Sequence, residues 1–342
     1  MSDLADRIRS YLTEAVRSAI IPGLAAAVVR DGRAICIEAL GVRRVGADEH
    51  LAPGHVFHFA SVSKPFVATA IMQLVERQDM GLDDRVAEIL PYFRLADDDY
   101  RKITIRQMLD HTSGMPDVED YEWHNPQFDE GAAERYVRSM ACRSLLSAPG
   151  SNRQYSNLAF DTLGGVIAKV SGVSFEEYIQ SNILQPLGME DSTFMYPEVA
   201  ETLRTTGHVG DPARVSEVYP YNRRHAPSST LNASVAEMTH WMIANLNRGT
   251  LNGHRILREE SYGFLWTPST PIPGEEGAVG LSWFLGEHAG TRIVAHGGGD
   301  TGFRSHILLA PDLSLGIVLA SNWEGTDAGA LSIGLLDLVI NA

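Results

Sequence analysis

The stretch "FRSHILLAPDLSLGIVLASN", residues 303–322, carries two apolar runs, 303–311 and 314–322, separated by Pro311-Asp312. Short runs rich in Ile, Leu and Val and punctuated by turn residues read as consecutive strands of an antiparallel sheet. Working outward, "TRIVAHG" (291–297) and "VGLSWFLGE" (279–287) give two more strands, with turns at 288–290 and 298–302. An apolar helix over 326–340 closes the chain. At the other end, "GLAAAVVR" (23–30) and "AICIEALG" (34–41) flank Asp31-Gly32. Asp-Gly tolerates positive φ and is a strong hairpin signal between apolar runs. A helix precedes them, with Leu4, Ile8, Tyr11 and Leu12 on one side.

The middle of the chain is helical in pattern. Residues 56–60 read as a short strand, and "KPFVATAIMQLVERQDMG" (64–81) as a helix stopped by Gly81. Pro65 fits only in a first turn, where its missing N–H costs little, so this helix must start near Ser61. Further helices are predicted over 104–114, 157–172, 174–188 and 234–249, the last two opened by capping boxes at Ser174/Glu177 and Ser234/Glu237. Tyr121 to Gly131 reads as a long mobile loop. Strands at both ends around helices predict an α+β fold. One antiparallel sheet is built from both termini and flanked by helices, with a mainly helical subdomain inserted. Within a single domain, 1–342, the sheet part is expected over 1–60 plus 231–342 and the insert over 61–230.

Of 342 residues, 44% are hydrophobic and 21% charged, an ordinary globular balance. The net charge of −15 argues against nucleic acid and against anionic membrane surfaces as partners. Cys36 and Cys142 make no disulfide framework and read as buried free thiols. The N-terminus carries acidic residues on a helical period rather than a basic start and an apolar core, and no stretch approaches the ~18 apolar residues of a membrane span. The expected location is the cytoplasm.

Three short stretches carry chemistry. In "FASVSKPF" (59–66), Ser61 and Lys64 stand three apart, on one face of a helix, whereas Ser63 points about 100° away from Lys64. Lysine occurs only at 64, 102 and 169. It can act as a base where burial or a second cation lowers its pKa. By itself the pair reads first as an N-capping serine and a surface lysine. In "NRQYSNLAF", Tyr155 and Asn157 share a side if the segment is extended. A lysine ammonium nearby would favour the phenolate, and Asn157 could bond Lys64, bind a substrate carbonyl, or cap the next helix. In "VAHGGGDTGF", His296 ends a strand ahead of glycines that let a substrate backbone approach.

Together, Ser-x-x-Lys (61–64), Tyr-x-Asn (155–157) and His-x-Gly (296–298) resemble the serine β-lactamase and penicillin-binding-protein superfamily. The pattern is nearest its class C β-lactamase-like branch, which also holds esterases, D-aminopeptidases and D-amino-acid amidases. "MLDHTSGMPD" (108–117), "APGSNRQYSN" (148–157), "ILQPLGMEDSTF" (183–194) and 296–322 extend the likeness over most of the chain. The resemblance implies a β-lactamase/transpeptidase-like fold and an acyl-enzyme mechanism with no metal and no cofactor. It implies Ser61 as nucleophile, Lys64 as its base or as the group that tunes Tyr155, and Tyr155 as general acid/base. Asn157 orients the amine, His296 contacts Tyr155 or substrate, and the N–H groups of Ser61 and Gly299 form the oxyanion hole beside Gly297 and Gly298. Where penicillin-recognising members carry Lys, this chain has His296, which implies weaker carboxylate binding. A small ester, amide or short peptide is therefore the expected substrate, ahead of β-lactams or D,D-carboxypeptidase substrates. A module that acylates without turnover is the reading from another class. Tyr121 and Trp123, with His124, are candidate walls of an acyl pocket. His111 is expected to be structural, and His55 and His58 are not metal ligands.

Overall fold

The computed structural model describes residues 2–271 and 277–342. Six main strands, β1 (Gly23–Arg30), β2 (Arg33–Gly41), β3 (Phe284–His288), β4 (Thr291–Asp300), β5 (Phe303–Ala310) and β6 (Leu315–Ser321), form the body of one antiparallel sheet. Their spatial order is β2-β1-β6-β5-β4-β3, continued by the short strands Ala278–Val279 and Thr270–Pro271. The two chain ends therefore meet at the centre, where Ala27 pairs with Val318 across β1 and β6.

Period-two alternation explains why these strands are apolar throughout. Leu24, Ala26 and Val28 face one layer with Leu308, Ala310, Ile317 and Leu319, while Ala25, Ala27 and Val29 face the other with Ile307, Leu309, Val318 and Ala320. The first layer is covered by α1 (Ser2–Ala19) through Ile8 and Leu12, and by α5 (Ala328–Ile340) through Leu335, Leu336 and Val339. The second is covered by α4 (Val235–Leu246) and the helical part of the chain. There α2 (Lys64–Glu76) meets α4 through Phe66 and Trp241, stacked at 3.8 Å, and α3 (Asn157–Ser171) packs beside α2. Burying such aromatic side chains is worth roughly 1.5–3 kcal/mol each.

Several elements differ from the sequence reading. The expected strand 279–287 is broken, because Ser282 takes φ 73°, gives its N–H to the Leu109 carbonyl at 2.8 Å, and sends Trp283 into the core. In contrast, β4 runs on to Asp300, its glycines pairing with β5 up to Asp300–Phe303. The 174–188 helix is α-helical only over Phe175–Ile179, then widens into a π-turn and tightens into a 3₁₀ turn at Pro186. Cys36 is buried and its thiol is pushed up to about 11 by burial, but Cys142 is exposed. It ends a short turn in which Met140 takes the interior position. The 121–131 loop lacks helix and strand, as expected, yet its backbone is held. Asn222 bonds the Tyr121 carbonyl and the Gln127 N–H, and Arg223 bonds the Gln127 and Phe128 carbonyls.

Gly81 does not stop α2; Gln78 does. Gln78 sits at φ 63° with its N–H on the Val75 carbonyl, and the Asp79 N–H reaches the Leu74 carbonyl. That is a Schellman closure built on a residue with a Cβ. Gln78→Gly is therefore expected to stabilise the protein by about 0.5–1 kcal/mol, since the exposed side chain only strains the left-handed position. A urea midpoint raised at unchanged m-value is the expected measurement, and an unchanged or lower midpoint contradicts the account.

Candidate active site

Ser61 opens a 3₁₀ turn, Ser61–Ser63, that leads directly into α2, with Pro65 in its first turn. The turn is entered through Ala60 at φ 47°, ψ −130°, a positive-φ conformation that a non-glycine residue holds only where its surroundings impose it. Ser61 is not a side-chain cap. Ser63 is the structural serine: buried, it gives its hydroxyl to the Ala60 carbonyl at 2.6 Å and accepts from the Leu231 N–H at 2.9 Å.

The Ser61 hydroxyl lies between two groups, Lys64 Nζ at 2.9 Å and the Tyr155 hydroxyl at 3.0 Å. Lys64 is fully buried, and its amine also meets Asn157 Oδ1 at 2.6 Å and the Ser228 carbonyl at 2.7 Å. Its Nζ stands 5.0 Å from the Tyr155 ring centre. The segment before α3 is extended, with Ser156 at φ −146°, ψ 113°, so Tyr155 and Asn157 face the same way. Ser156, not Asn157, caps α3, accepting from the Ala159 N–H. His111 stacks on Tyr155 at 4.4 Å and accepts the Ser156 N–H at Nδ1, fixing the tyrosine's position.

Burial decides the proton distribution. It lowers the Lys64 ammonium to about 7, only partly offset by the carboxylates of Asp161, Asp117 and Asp300. About half of the side chain is then neutral at pH 7. Burial also pushes the Tyr155 hydroxyl above its ordinary value, with the Ser61 hydrogen bond a smaller opposing influence. The phenolate expected from a neighbouring ammonium is disfavoured, because both groups lie in the same dry site and lose more by desolvation than they gain from each other.

The glycine strand edge forms the opposite wall. β3 pairs with β4 only as far as Phe284–Ala295, so residues 296–300 have β5 on one edge and, among the described residues, no strand on the other. Gly298 is packed against the chain entering the Ser61 turn, and a Cβ there would stand 2.2 Å from the Phe59 carbonyl oxygen. Gly297 has room, its nearest neighbour being a His306 ring carbon at 3.5 Å, and Gly299 lies against the Arg304 side chain. Asp300 ends β4 and accepts from His58 Nε2 at 2.8 Å and from the Ser229 hydroxyl, tying the strand to both neighbouring segments. His55 holds the Ala52 N–H at 2.8 Å.

His296 is buried and neutral, lowered to about 3 chiefly by desolvation and by Lys64. Its Nδ1–H donates to the Gly297 carbonyl at 2.7 Å, which leaves Nε2 a lone-pair acceptor without a hydrogen-bond partner among the described residues. No hydrogen bond joins it to Tyr155. Tyr121 and Trp123 stack at 4.7 Å, both edge-on to His225. Trp123 and His124 line an aromatic groove of about 490 Å³ with Phe128, Tyr196, Tyr219 and Tyr221. Sequence reasoning missed Ser228, whose contribution is a carbonyl and so has no residue-type signal. It also missed Asp300, hidden inside a glycine turn motif.

A family model named Beta-lactamase matches residues 8–340. Protein flp of Staphylococcus aureus (strain COL) is 27% identical over 327 residues, 94% of this chain, which spans 64% of that relative's length. Esterase EstB of Burkholderia gladioli is 32% identical over 236 residues, 63% of this chain and 57% of the esterase. The octameric penicillin-binding protein homologue from Pyrococcus abyssi superposes with a TM-score of 0.86 at 25% identity, over 98% of this chain and 77% of that one. A class C beta-lactamase shares the fold with a TM-score of 0.84 at 18% identity, over 98% and 96%. The chain belongs to the Beta-lactamase family.

Proposed function

We propose that this chain hydrolyses small esters or amides through an acyl-enzyme on Ser61. The observation that carries the reading is the Ser61 hydroxyl held between the Lys64 amine and the Tyr155 hydroxyl. A neutral amine has two N–H bonds and one lone pair. Asn157 Oδ1 and the Ser228 carbonyl can only accept, so they take both N–H bonds and the lone pair is left for Ser61. Lys64 removes the Ser61 proton as Oγ attacks the carbonyl. The N–H groups of Ser61 and Gly299 receive the developing oxyanion along the open edge of β4. Tyr155, still protonated, gives its proton to the leaving group and regains one from the Lys64 ammonium. Water then attacks the acyl-enzyme by the same route.

A neutral His296 offers no charge to a substrate carboxylate, which favours uncharged esters and amides over β-lactams. The name of Esterase EstB points the same way. A short-chain nitrophenyl ester, a D-alanine anilide and a chromogenic cephalosporin compared side by side test this. Rapid turnover of the cephalosporin alone overturns the reading of His296. A single burst of Ser61 labelling without steady state would mark a module that acylates and stops.

Ser61→Ala is expected to lower kcat/KM at least about 10⁴-fold, and Lys64→Ala by a comparable factor, because nucleophile and base act as a unit. In the unmodified chain kcat/KM should rise with pH and level off above about 7, since Lys64 must lose its proton to act. A profile flat from pH 5 to 8 contradicts Lys64 as base. Gly298→Ala should cost on the order of 10²-fold by displacing β4 from the nucleophile turn, whereas Gly297→Ala should cost far less. Equal losses in the two variants would remove the close approach as the cause.

A further inference from the structure

The orientation of one amide decides where the Lys64 lone pair points. If the Asn157 side chain were turned over, its NH₂ would face Lys64 Nζ. The lysine lone pair would then accept from Asn157 and be lost to Ser61. The amide is fixed from its far end by Asp117. Asp117 Oδ1 accepts from Asn157 Nδ2 at 2.9 Å and from the Asn157 backbone N–H at 2.8 Å. A carboxylate can only accept, so Nδ2 must lie on its side and Oδ1 on the side of Lys64. Asp117 is itself held: the same oxygen takes the Val118 N–H at 2.8 Å, and the Ser156 hydroxyl bonds the Pro116 carbonyl at 2.7 Å. The turn at 116–118 is thus fastened to the segment that carries Tyr155 and Asn157.

We propose that Asp117 is a positioning residue for the serine hydrolase chemistry, acting through Asn157 to aim the Lys64 lone pair at Ser61. The proposal rests on the acyl-enzyme reading above. Asp117 also places a negative charge near the amine. The groups around Lys64 are Asp161 of α3, Asp300 of β4, Asp117, Tyr155, and the neutral His111 and His296. Removing the charge of Asp117 disfavours the ammonium, so the acid limb of the pH profile must move down. Damage that merely admitted water would restore solvation and move it up.

The test follows the acylation burst of the full chain with excess p-nitrophenyl acetate in Asp117→Asn, Asp117→Ala, Asn157→Ala and the Asp117→Ala/Asn157→Ala double variant. Circular dichroism reports the fold of each. Asp117→Ala is expected to slow acylation on the order of 10²-fold in rate rather than in substrate affinity. Asp117→Asn retains an acceptor oxygen, so it should lose much less. Its acid limb should move down by about half a pH unit or more. In the Asn157→Ala background, Asp117→Ala should cost little further, because the residue acts through that amide. Independent, multiplicative losses, or an Asp117→Asn limb that stays put or rises, overturn the role of Asp117. Turnover of p-nitrophenyl acetate undiminished in Ser61→Ala instead overturns the acyl-enzyme reading on which it rests.

Discussion

A lysine amine sealed inside a protein and brought close to neutrality is the constraint around which this site is arranged. An ammonium in that position would lose several kcal/mol of solvation, and attraction to neighbouring charges recovers only part of it. The carboxylates of Asp161, Asp117 and Asp300 act on Lys64, but none is among its hydrogen-bond partners. Direct contact with one would lock the proton on. Carbonyl-type oxygens contact the amine instead, and these satisfy two N–H bonds without demanding a full charge. The balance leaves the amine close to neutrality in its ordinary working range, which is what a base for a serine hydroxyl requires.

The fold supplies that balance from distant parts of the chain. Ser61 and Lys64 come from the turn and helix between the sheet and the helical part, Tyr155 and Asn157 from the lead-in to α3, and the Ser228 carbonyl from the return toward α4. The glycine strand edge arrives from the C-terminal half of the sheet, seated by Gly298 against Phe59 and by Asp300 between His58 and Ser229. Each approach depends on a small feature: a positive-φ Ala60, a glycine without room for a Cβ, or a carboxylate shared by two donors.

How much of this was legible from sequence follows from the range of each interaction. The Asp31-Gly32 hairpin, the C-terminal strands and the serine caps at Ser174 and Ser234 are short-range effects, and they were readable. Pairing of the two chain ends followed from strands at both ends of the chain around a helical middle. The turn at Gln78 was hidden because a residue with a Cβ occupies a position where glycine signals the stop, three residues before the glycine that misled the reading. The break at Ser282 was hidden because its cause is a bond to Leu109, far away in sequence. Cys142 misled for a similar reason: its mixed surroundings did not reveal which residue of the turn points inward. Asp117 was quoted within a motif, yet nothing local showed that it grips Asn157 forty residues on.

The electrostatics were the least legible part, and the direction of the error is instructive. A lysine beside a tyrosine suggests, pairwise, an ammonium and a phenolate stabilising one another. That reasoning presumes a polar medium in which each ion is affordable. Here both side chains are buried, desolvation is the largest influence on each, and it pushes the lysine down and the tyrosine up. The neutral pair is the consequence: an amine that can take a proton and a phenol that can give one, both hydrogen-bonded to a single hydroxyl. His296 obeys the same rule, losing its charge to burial next to Lys64. A second cation at that position would also push the Lys64 ammonium lower, so the absence of charge at 296 and the tuning of the Lys64 amine are two sides of one electrostatic arrangement.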